Sequence, residues 1–117
     1  MYASVLIVDD SKVSRMMIKK IIAEISPETT VFEAADGNEA LSSLKENDIK
    51  AAIVDFHMPG IDGLELTEKI RAIDADLPVT LLTANIQNEI KKRADELDAG
   101  YLSKPANKDD LADFLAG

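Results

Sequence analysis

Residues 49–63 read IKAAIVDFHMPGIDG, and this stretch decides the fold of the chain. Residues 49–55 are predicted to form a strand in which the apolar residues are consecutive and do not alternate with polar ones. Consecutive apolar residues are typical of a parallel strand that is covered on both faces. Residues 55–63 contain one proline and two glycines and are predicted to form a loop. The stretch therefore predicts a buried parallel strand with a loop at its carboxyl end.

Short apolar runs alternate with segments of helical period along the rest of the chain. Strands are predicted at residues 4–8, 30–34, 79–83 and 101–103, and helices at residues 11–25, 38–47 and 86–97, with another ending at residue 73 and a last one capped by Asn107. Val13, Met16 and Met17 follow the apolar period of the first helix, and both methionines are expected to pack in the core. Gly100 is expected to cap the end of the fourth helix. Five strands that alternate with five helices predict a single α/β domain over residues 1–117, a doubly wound three-layer sandwich with a parallel sheet.

The composition argues against several classes of function. The 117 residues include 22 acidic and 13 basic ones, and a surface with a formal net charge of -9 repels the phosphates of nucleic acids. The absence of cysteine excludes disulfides and thiolate chemistry, and it fits the reducing cytoplasm, where we expect the chain to work. The longest apolar runs have four residues, whereas a membrane span needs about 20. Neither nucleic acid nor membrane is therefore an expected partner.

Polar side chains follow the predicted strands at their carboxyl ends, where open parallel sheets bind ligands. Asp9 and Asp10 follow the first strand, Asp55 ends the third, Thr83 ends the fourth and Lys104 follows the fifth. Singly, each residue has a structural explanation as a helix cap, a turn residue or a solvated charge. Together, the three carboxylates would repel one another by roughly 4 kcal/mol per pair at 4 Å and an effective dielectric near 20. The cluster therefore predicts a bound cation or proton, and with it a functional site.

The residue types in this cluster favour phosphoryl transfer with magnesium. Oxygen ligands without histidine or cysteine select a hard cation, and Mg²⁺ accepts one or two carboxylates while leaving room for a phosphoryl oxygen. An aspartate can act as the nucleophile and form an acyl phosphate, and Asp55 is the best placed because its strand lies centrally. Lys104 would neutralise charge on the transferred group, and the hydroxyl of Thr83 could donate to one of its oxygens.

The chain resembles the receiver (response-regulator) domain of bacterial two-component signalling, of the chemotaxis-regulator type. The resemblance rests on VLIVDDS at residues 5–11, VDFHMPGIDG at 54–63, LLTAN at 81–85 and YLSKP at 101–105. The spacings also suit that family, with 45 residues from Asp10 to Asp55, 28 more to Thr83 and 21 more to Lys104. The resemblance implies a flavodoxin-like fold with the strand order 2-1-3-4-5.

The resemblance also implies roles for individual residues. It makes Asp9 and Asp10 the acidic pair on the metal side, Asp55 the phosphoacceptor and a metal ligand, and the main-chain carbonyl of His57 a further metal ligand. It makes Lys104 the lysine that contacts the phosphoryl group. The switch residues implied are the hydroxyl of Thr83 and the aromatic ring of Tyr101. His57 and Asn85, each two residues after a site residue, are expected to tune the lifetime of the acyl phosphate. The alternatives are that His57 is a solvent-facing loop residue and that Tyr101 is half-buried without a switching role.

The function implied is a phosphorylation-activated signalling switch. The phosphoryl group would come from a sensor histidine kinase or a histidine phosphotransfer protein, and the surface of the fourth helix, fifth strand and fifth helix would change. Its partner would be a downstream effector protein or an attached output domain, and the chain would be a monomer or weak dimer. It would catalyse only its own phosphorylation and dephosphorylation. The alternative is a pseudo-receiver, an interaction module that works without phosphorylation. An aspartate-based phosphatase is disfavoured because His57 stands where it would have a second aspartate.

Overall fold

Five strands and five helices alternate strictly in the computed structural model, which describes residues 1–117. The strands are β1 (Ser4–Val8), β2 (Thr30–Ala34), β3 (Ala51–Asp55), β4 (Val79–Thr83) and β5 (Gly100–Ser103). The helices are α1 (Lys12–Ile25), α2 (Gly37–Glu46), α3 (Gly63–Ile73), α4 (Asn88–Glu96) and α5 (Lys108–Leu115). All strand pairs are parallel, in the order β2-β1-β3-β4-β5. The predicted fold class and strand order are confirmed.

The core lies on both faces of the sheet. Every residue of β1, β3 and β4 is buried. The consecutive apolar residues of β1 and β3 predict this burial, whereas β4 also buries Thr80 and Thr83. One face, with Leu6, Val54 and Leu81, is covered by α2, α3 and α4, and the opposite face, with Ile7 and Ile53, is covered by α1 and α5. None of the helices is long and apolar enough to cross a membrane. The carboxyl ends of the three central strands are therefore held side by side by a packed core.

Four of the five helices begin at a residue whose side chain accepts a hydrogen bond from the first helical turn. The caps are Ser11 for α1, Asp36 for α2, Asp62 for α3 and Asn107 for α5, so the predicted cap at Asn107 is confirmed. Helix α4 is the exception, because its N-cap Gln87 makes no such bond and only Ala94 of the helix is buried. Helix α4 is thus the least firmly attached of the five.

The apolar face predicted for α1 is partly wrong. Val13, Met16 and Met17 are 68%, 58% and 55% exposed, whereas Ile18 and Ile22 are the buried residues of the helix. Residues four apart lie on one face of a helix, and the sheet selects the face that carries the β-branched Ile18 and Ile22. The two methionines lie on the neighbouring face and point into solvent.

The end of α4 also differs from the prediction. Its C-cap is Leu97, and the residue in the left-handed region is Asp98, with a φ of 54°, while Gly100 is already the first residue of β5. Aspartate is one of the few residues besides glycine that tolerate this conformation. Arg71 of α3 supports the turn, because its guanidinium donates to the carbonyl oxygens of Leu97 at 2.7 Å and Asp98 at 3.0 Å. Two further boundaries shift by two residues, since β3 begins at residue 51 and α4 at residue 88, and the other differences amount to one residue.

Candidate functional site

Three carboxylates meet at the carboxyl ends of β1 and β3. Asp9 follows β1 directly and Asp55 ends β3, and the two strands are neighbours in which Val8 pairs with Val54. One oxygen from each of Asp9, Asp10 and Asp55 lies within 4.8 Å of the other two. Asp9 and Asp55 are only 1% and 2% exposed, whereas Asp10 is exposed to solvent. The structure therefore brings the predicted acidic cluster together with one side open to solvent.

Asp9 is held by the first turn of α1. Its Oδ1 accepts a hydrogen bond from the main-chain N–H of Ser11 at 2.9 Å, and its Oδ2 accepts one from the Ser14 hydroxyl at 2.6 Å. Arg15 donates to the main-chain oxygen of Asp9 at 2.6 Å and forms an ion pair with Glu33 of β2 at 3.2 Å. Ser14 and Arg15 are not among the residues predicted for the site. The spacing of Ser11 and Ser14 was an available signal, because residues three apart share the first turn of a capped helix.

Asp55 lies between the acidic pair and Lys104. The Lys104 Nζ is 2.5 Å from Asp55 Oδ1, and the main-chain N–H of His57 donates to the same oxygen at 3.3 Å. The main-chain N–H of Lys104 donates to the Thr83 carbonyl at 2.9 Å, which ties the lysine to the neighbouring strand. Burial raises the pKa of the Asp55 carboxyl, the charge of Asp9 raises it further, and Lys104 partly opposes both effects. One lysine therefore only partly offsets the charge of the cluster.

Thr83 and Tyr101 lie beside the cluster but do not contact it. Thr83 follows Leu82, which pairs with Asp55, and its buried hydroxyl lies 3.3 Å from both the main-chain nitrogen and oxygen of Asn85. Tyr101 is half-buried in β5, and the Lys91 ammonium of α4 lies 5.8 Å from the centre of its ring. The hydroxyl of Thr83 thus faces the loop that leads to α4, and the ring of Tyr101 contacts α4 itself.

His57 and Asn85 are brought to one cavity. Both side chains are exposed, and they line a cavity of about 250 Å³ between the loop after β3 and the start of α4. The ring of His57 meets the ring of Phe56 edge to face, with 4.8 Å between the ring centres. Asp55 does not line this cavity, although Phe56 and His57, which do, directly follow it in the sequence.

The acidic cluster fits a magnesium ion. Mg²⁺ binds oxygen ligands at about 2.1 Å in an octahedron, so opposite ligand atoms are about 4.2 Å apart. Neighbouring ligand atoms in that octahedron are about 3.0 Å apart, so the three carboxylate oxygens, which lie within 4.8 Å of one another, would draw closer together to hold one ion. The three side chains of the cluster offer only oxygen atoms as ligands, without sulfur or imidazole, and oxygen ligands favour a hard cation. Asp9, Asp10 and Asp55 could therefore hold the ion.

The raised pKa of Asp55 leads to a stability prediction. Ionising this carboxyl costs more in the folded chain than in the unfolded one, so its contribution to stability is fully present below the unfolded pKa of about 3.9. That contribution is lost as the pH rises through the raised pKa of the folded chain. We therefore expect Asp55→Asn to increase the free energy of unfolding at neutral pH by about 1 kcal/mol in urea titrations without magnesium.

The advantage of this variant should fade as the pH falls, because the wild-type carboxyl then becomes neutral as well. Asp76→Asn removes the same charge at an exposed position and should leave the urea midpoint nearly unchanged. Added magnesium should reverse the order of Asp55→Asn and wild type, because the ion stabilises only a chain that binds it. A variant less stable than wild type at neutral pH without magnesium would contradict the cost of burying this charge.

Sequence and structure comparisons relate the chain to known proteins. A family model of the response regulator receiver domain matches residues 5–116. The response regulator UvrY of Escherichia coli (strain K12) is 36% identical over 104 residues, which are 88% of this chain and 48% of UvrY. The cyclic di-GMP phosphodiesterase response regulator RpfG of Xanthomonas campestris pv. campestris (strain 8004) is 33% identical over 113 residues, which cover 92% of this chain and 29% of RpfG.

A solved structure is similar over the whole chain. The chemotaxis protein CheY4 of Vibrio cholerae superimposes with a TM-score of 0.89 at 31% sequence identity, covering 99% of this chain and 98% of CheY4. By contrast, the chain spans about half the length of UvrY and less than a third of RpfG. The similarity to these curated relatives is therefore confined to one part of each.

Proposed function

The chain belongs to the response regulator receiver domain family, and we propose that it accepts a phosphoryl group on Asp55 from a phosphohistidine donor. Receiver domains of two-component response regulators are phosphorylation-type signalling switches and not classical enzymes. The observation that carries the proposal is one buried carboxylate, Asp55, placed between two further carboxylates and Lys104. The site thus combines a nucleophile, a cation-binding pair and a positive charge.

The two oxygens of Asp55 have different surroundings. Oδ1 accepts the hydrogen bond from the main-chain N–H of His57 and lies against the Lys104 ammonium. We therefore assign Oδ2 as the nucleophile, whose electron pair forms the bond to phosphorus while the bond from phosphorus to the donor histidine breaks. The donor histidine leaves with the electrons of that bond. Lys104 remains beside the carboxyl group and neutralises charge on the phosphoryl oxygens.

Asp9, Asp10 and Asp55 would hold magnesium, together with the main-chain carbonyl of His57. When bound, the ion offsets the negative charge of the incoming phosphoryl group, which these carboxylates would otherwise repel. Ser11 and Ser14 already hold the Asp9 carboxylate by hydrogen bonds. One member of the acidic pair that faces Asp55 is therefore oriented before the ion binds.

We also propose that the chain hydrolyses its own acyl phosphate, and that His57 and Asn85 set the lifetime of this acyl phosphate. His57 lies two residues after the acceptor Asp55, and Asn85 lies two residues after Thr83, so each side chain can flank the path of a water that attacks the phosphorus atom. The rate at which the phosphorylated chain loses its phosphoryl group measures this role in His57→Ala and Asn85→Ala. Equal rates in both variants and wild type would leave His57 as a solvent-facing loop residue.

The partners follow from the phosphoryl chemistry. The donor is a sensor histidine kinase or a histidine phosphotransfer protein, and the signal passes to an effector protein or an output domain. The chain works in the cytoplasm as a monomer or weak dimer. Incubation with a phosphohistidine donor and magnesium chloride, followed by intact-mass measurement, tests the proposed function. One added phosphoryl group is expected, and an unmodified mass would favour the pseudo-receiver alternative.

The surface formed by α4, β5 and α5 is the proposed output surface. When Thr83 turns toward a phosphoryl oxygen, its hydroxyl leaves Asn85, which lies in the loop before α4. Tyr101, whose neighbour Leu81 lies two residues before Thr83, can then turn into the vacated space and leave the Lys91 ammonium. Such a change needs two states that differ in energy, and the weak attachment of α4 keeps that difference small.

Thr83→Ala is expected to uncouple this surface from the acceptor. Adding a stable phosphoryl mimic to wild type should change amide exchange in α4 and around Tyr101 by fivefold or more, about the lower end of the range for allosteric coupling. The variant should bind the mimic but show little change in α4. Thr80→Ala makes the same substitution at another buried position of β4, away from the carboxyl end, and should keep the wild-type response. A full response in Thr83→Ala would contradict the coupling.

A further inference from the structure

The Asp9 carboxylate accepts a hydrogen bond at each of its two oxygens, as carboxylates that bind metal ions commonly do. Ser11 donates from its main-chain nitrogen to Oδ1 at 2.9 Å, and Ser14 donates from its hydroxyl to Oδ2 at 2.6 Å. Arg15 reaches only the main-chain oxygen of Asp9, at 2.6 Å. Ser14 is therefore the one side chain whose hydrogen bond controls the rotation of this carboxylate.

The hydroxyl of Ser14 is used differently from most serines in helices. A helical serine commonly donates back to a carbonyl oxygen of its own helix four residues earlier. Ser14 instead donates out of the helix to Asp9, five residues earlier and before the N-cap. The oxygen–oxygen distance of 2.6 Å lies in the range of about 2.5–2.7 Å for a hydroxyl bound to a carboxylate, which is among the stronger hydrogen bonds of proteins.

We propose that Ser14 is a positioning residue of the magnesium site, which orients the Asp9 carboxylate toward Asp10 and Asp55. The proposal rests on the function proposed above, since it requires that the acidic cluster binds the ion. Without the hydroxyl, the Ser11 N–H still holds Oδ1, but nothing else binds Oδ2, so the carboxylate can turn about that one remaining hydrogen bond. The Asp9 carboxylate would then adopt several orientations relative to Asp10 and Asp55 instead of one.

The identity of the cation separates positioning from a general loss of structure. Mg²⁺ demands near-ideal octahedral geometry at short distances, whereas Ca²⁺ accepts irregular oxygen sites with longer bonds. A carboxylate that rotates freely should therefore weaken magnesium binding more than calcium binding. Loss of an outer residue that orients a ligand typically lowers metal affinity by about 10–100-fold.

Calorimetric titration of the full chain with magnesium chloride and with calcium chloride tests the proposal. We expect Ser14→Ala to bind magnesium about tenfold more weakly than wild type, with a loss of about threefold or less for calcium. Ser14→Thr retains the hydroxyl and should restore magnesium affinity to within about twofold of wild type. Ser42→Ala, at an exposed position of α2 far from the cluster, should leave both affinities unchanged.

The outcomes separate this proposal from the proposed function. Unchanged magnesium affinity in Ser14→Ala, or an equal loss for both cations, would overturn the positioning role. Failure of Ser14→Thr to restore magnesium binding would also overturn it. A wild-type chain that binds no magnesium would contradict the proposed function itself.

Discussion

Asp55→Asn is expected to abolish phosphorylation. The amide that replaces the carboxylate has no anionic oxygen to attack phosphorus, and no second carboxylate in the cluster lies against Lys104. With a phosphohistidine donor and magnesium, intact-mass measurement of wild type should show one phosphoryl group and the variant should show none. Loss of fold would not explain that result, because the variant does not depend on magnesium for its stability and is expected to be more stable than magnesium-free wild type.

Two comparisons make this result specific. Asp76→Asn removes an exposed carboxylate from the loop before β4 and should be phosphorylated as wild type is. Asp10→Ala keeps the acceptor and removes an exposed member of the cation-binding pair, so it should need more magnesium for the same rate. Undiminished labelling of Asp55→Asn would move the acceptor to another residue, which peptide mapping would locate.

The fold could be predicted because the sequence alternates two clear periods. The consecutive apolar residues of β1 and β3 are buried throughout, as expected for central parallel strands. Helix α1 was harder, because its apolar residues at three- and four-residue spacing cover more than one face. Only packing against the sheet decides that Ile18 is buried while Met17 is exposed. Periodicity establishes that a helix exists, but tertiary contacts determine which face is covered.

The site could be predicted to the level of the strand ends, but not to the level of side-chain orientation. Strand ends locate Asp9, Asp55 and Lys104 because parallel strands bring their carboxyl ends to one edge. The short contact between Ser14 and Asp9 depends on rotamers, and these depend on neighbours from distant parts of the sequence. The hydroxyl of Thr83 likewise faces Asn85, a contact that no spacing reveals.

Gly63 shows how tightly the acceptor is built into the fold, and Gly63→Ala is expected to have a large effect on stability. A Cβ at this position would lie 2.7 Å from the Asp55 carbonyl oxygen and 2.9 Å from the Phe56 Cα. The Gly63 N–H also donates to the Phe56 carbonyl at 2.9 Å. This hydrogen bond closes the loop of residues 56–62 between β3 and α3, here called the acceptor loop. Because the clashing atoms belong to the main chain, no change of rotamer relieves them.

We therefore expect Gly63→Ala to lower the free energy of unfolding by about 3 kcal/mol, the upper part of the usual range for overpacking. Urea titration measures this loss, which is a large fraction of the about 5–15 kcal/mol that stabilises a typical domain. Magnesium affinity should fall as well, because the main chain that must move carries the Asp55 carboxylate. The acceptor loop and the cation site should thus weaken together.

Gly37→Ala is the matched control, because Gly37 and Gly63 each begin a helix directly after an aspartate cap, Asp36 or Asp62. A Cβ at residue 37 would approach the end of the flexible Ile61 side chain, 2.5 Å from its Cδ1, and that side chain can turn away. Both substitutions gain the higher helix propensity of alanine, which is worth up to about 1 kcal/mol. The difference between them therefore isolates the clash with the acceptor's main chain. Equal urea midpoints for the two variants would show that α3 can withdraw from β3 at little cost, and that the acceptor is less rigidly held than its packing indicates.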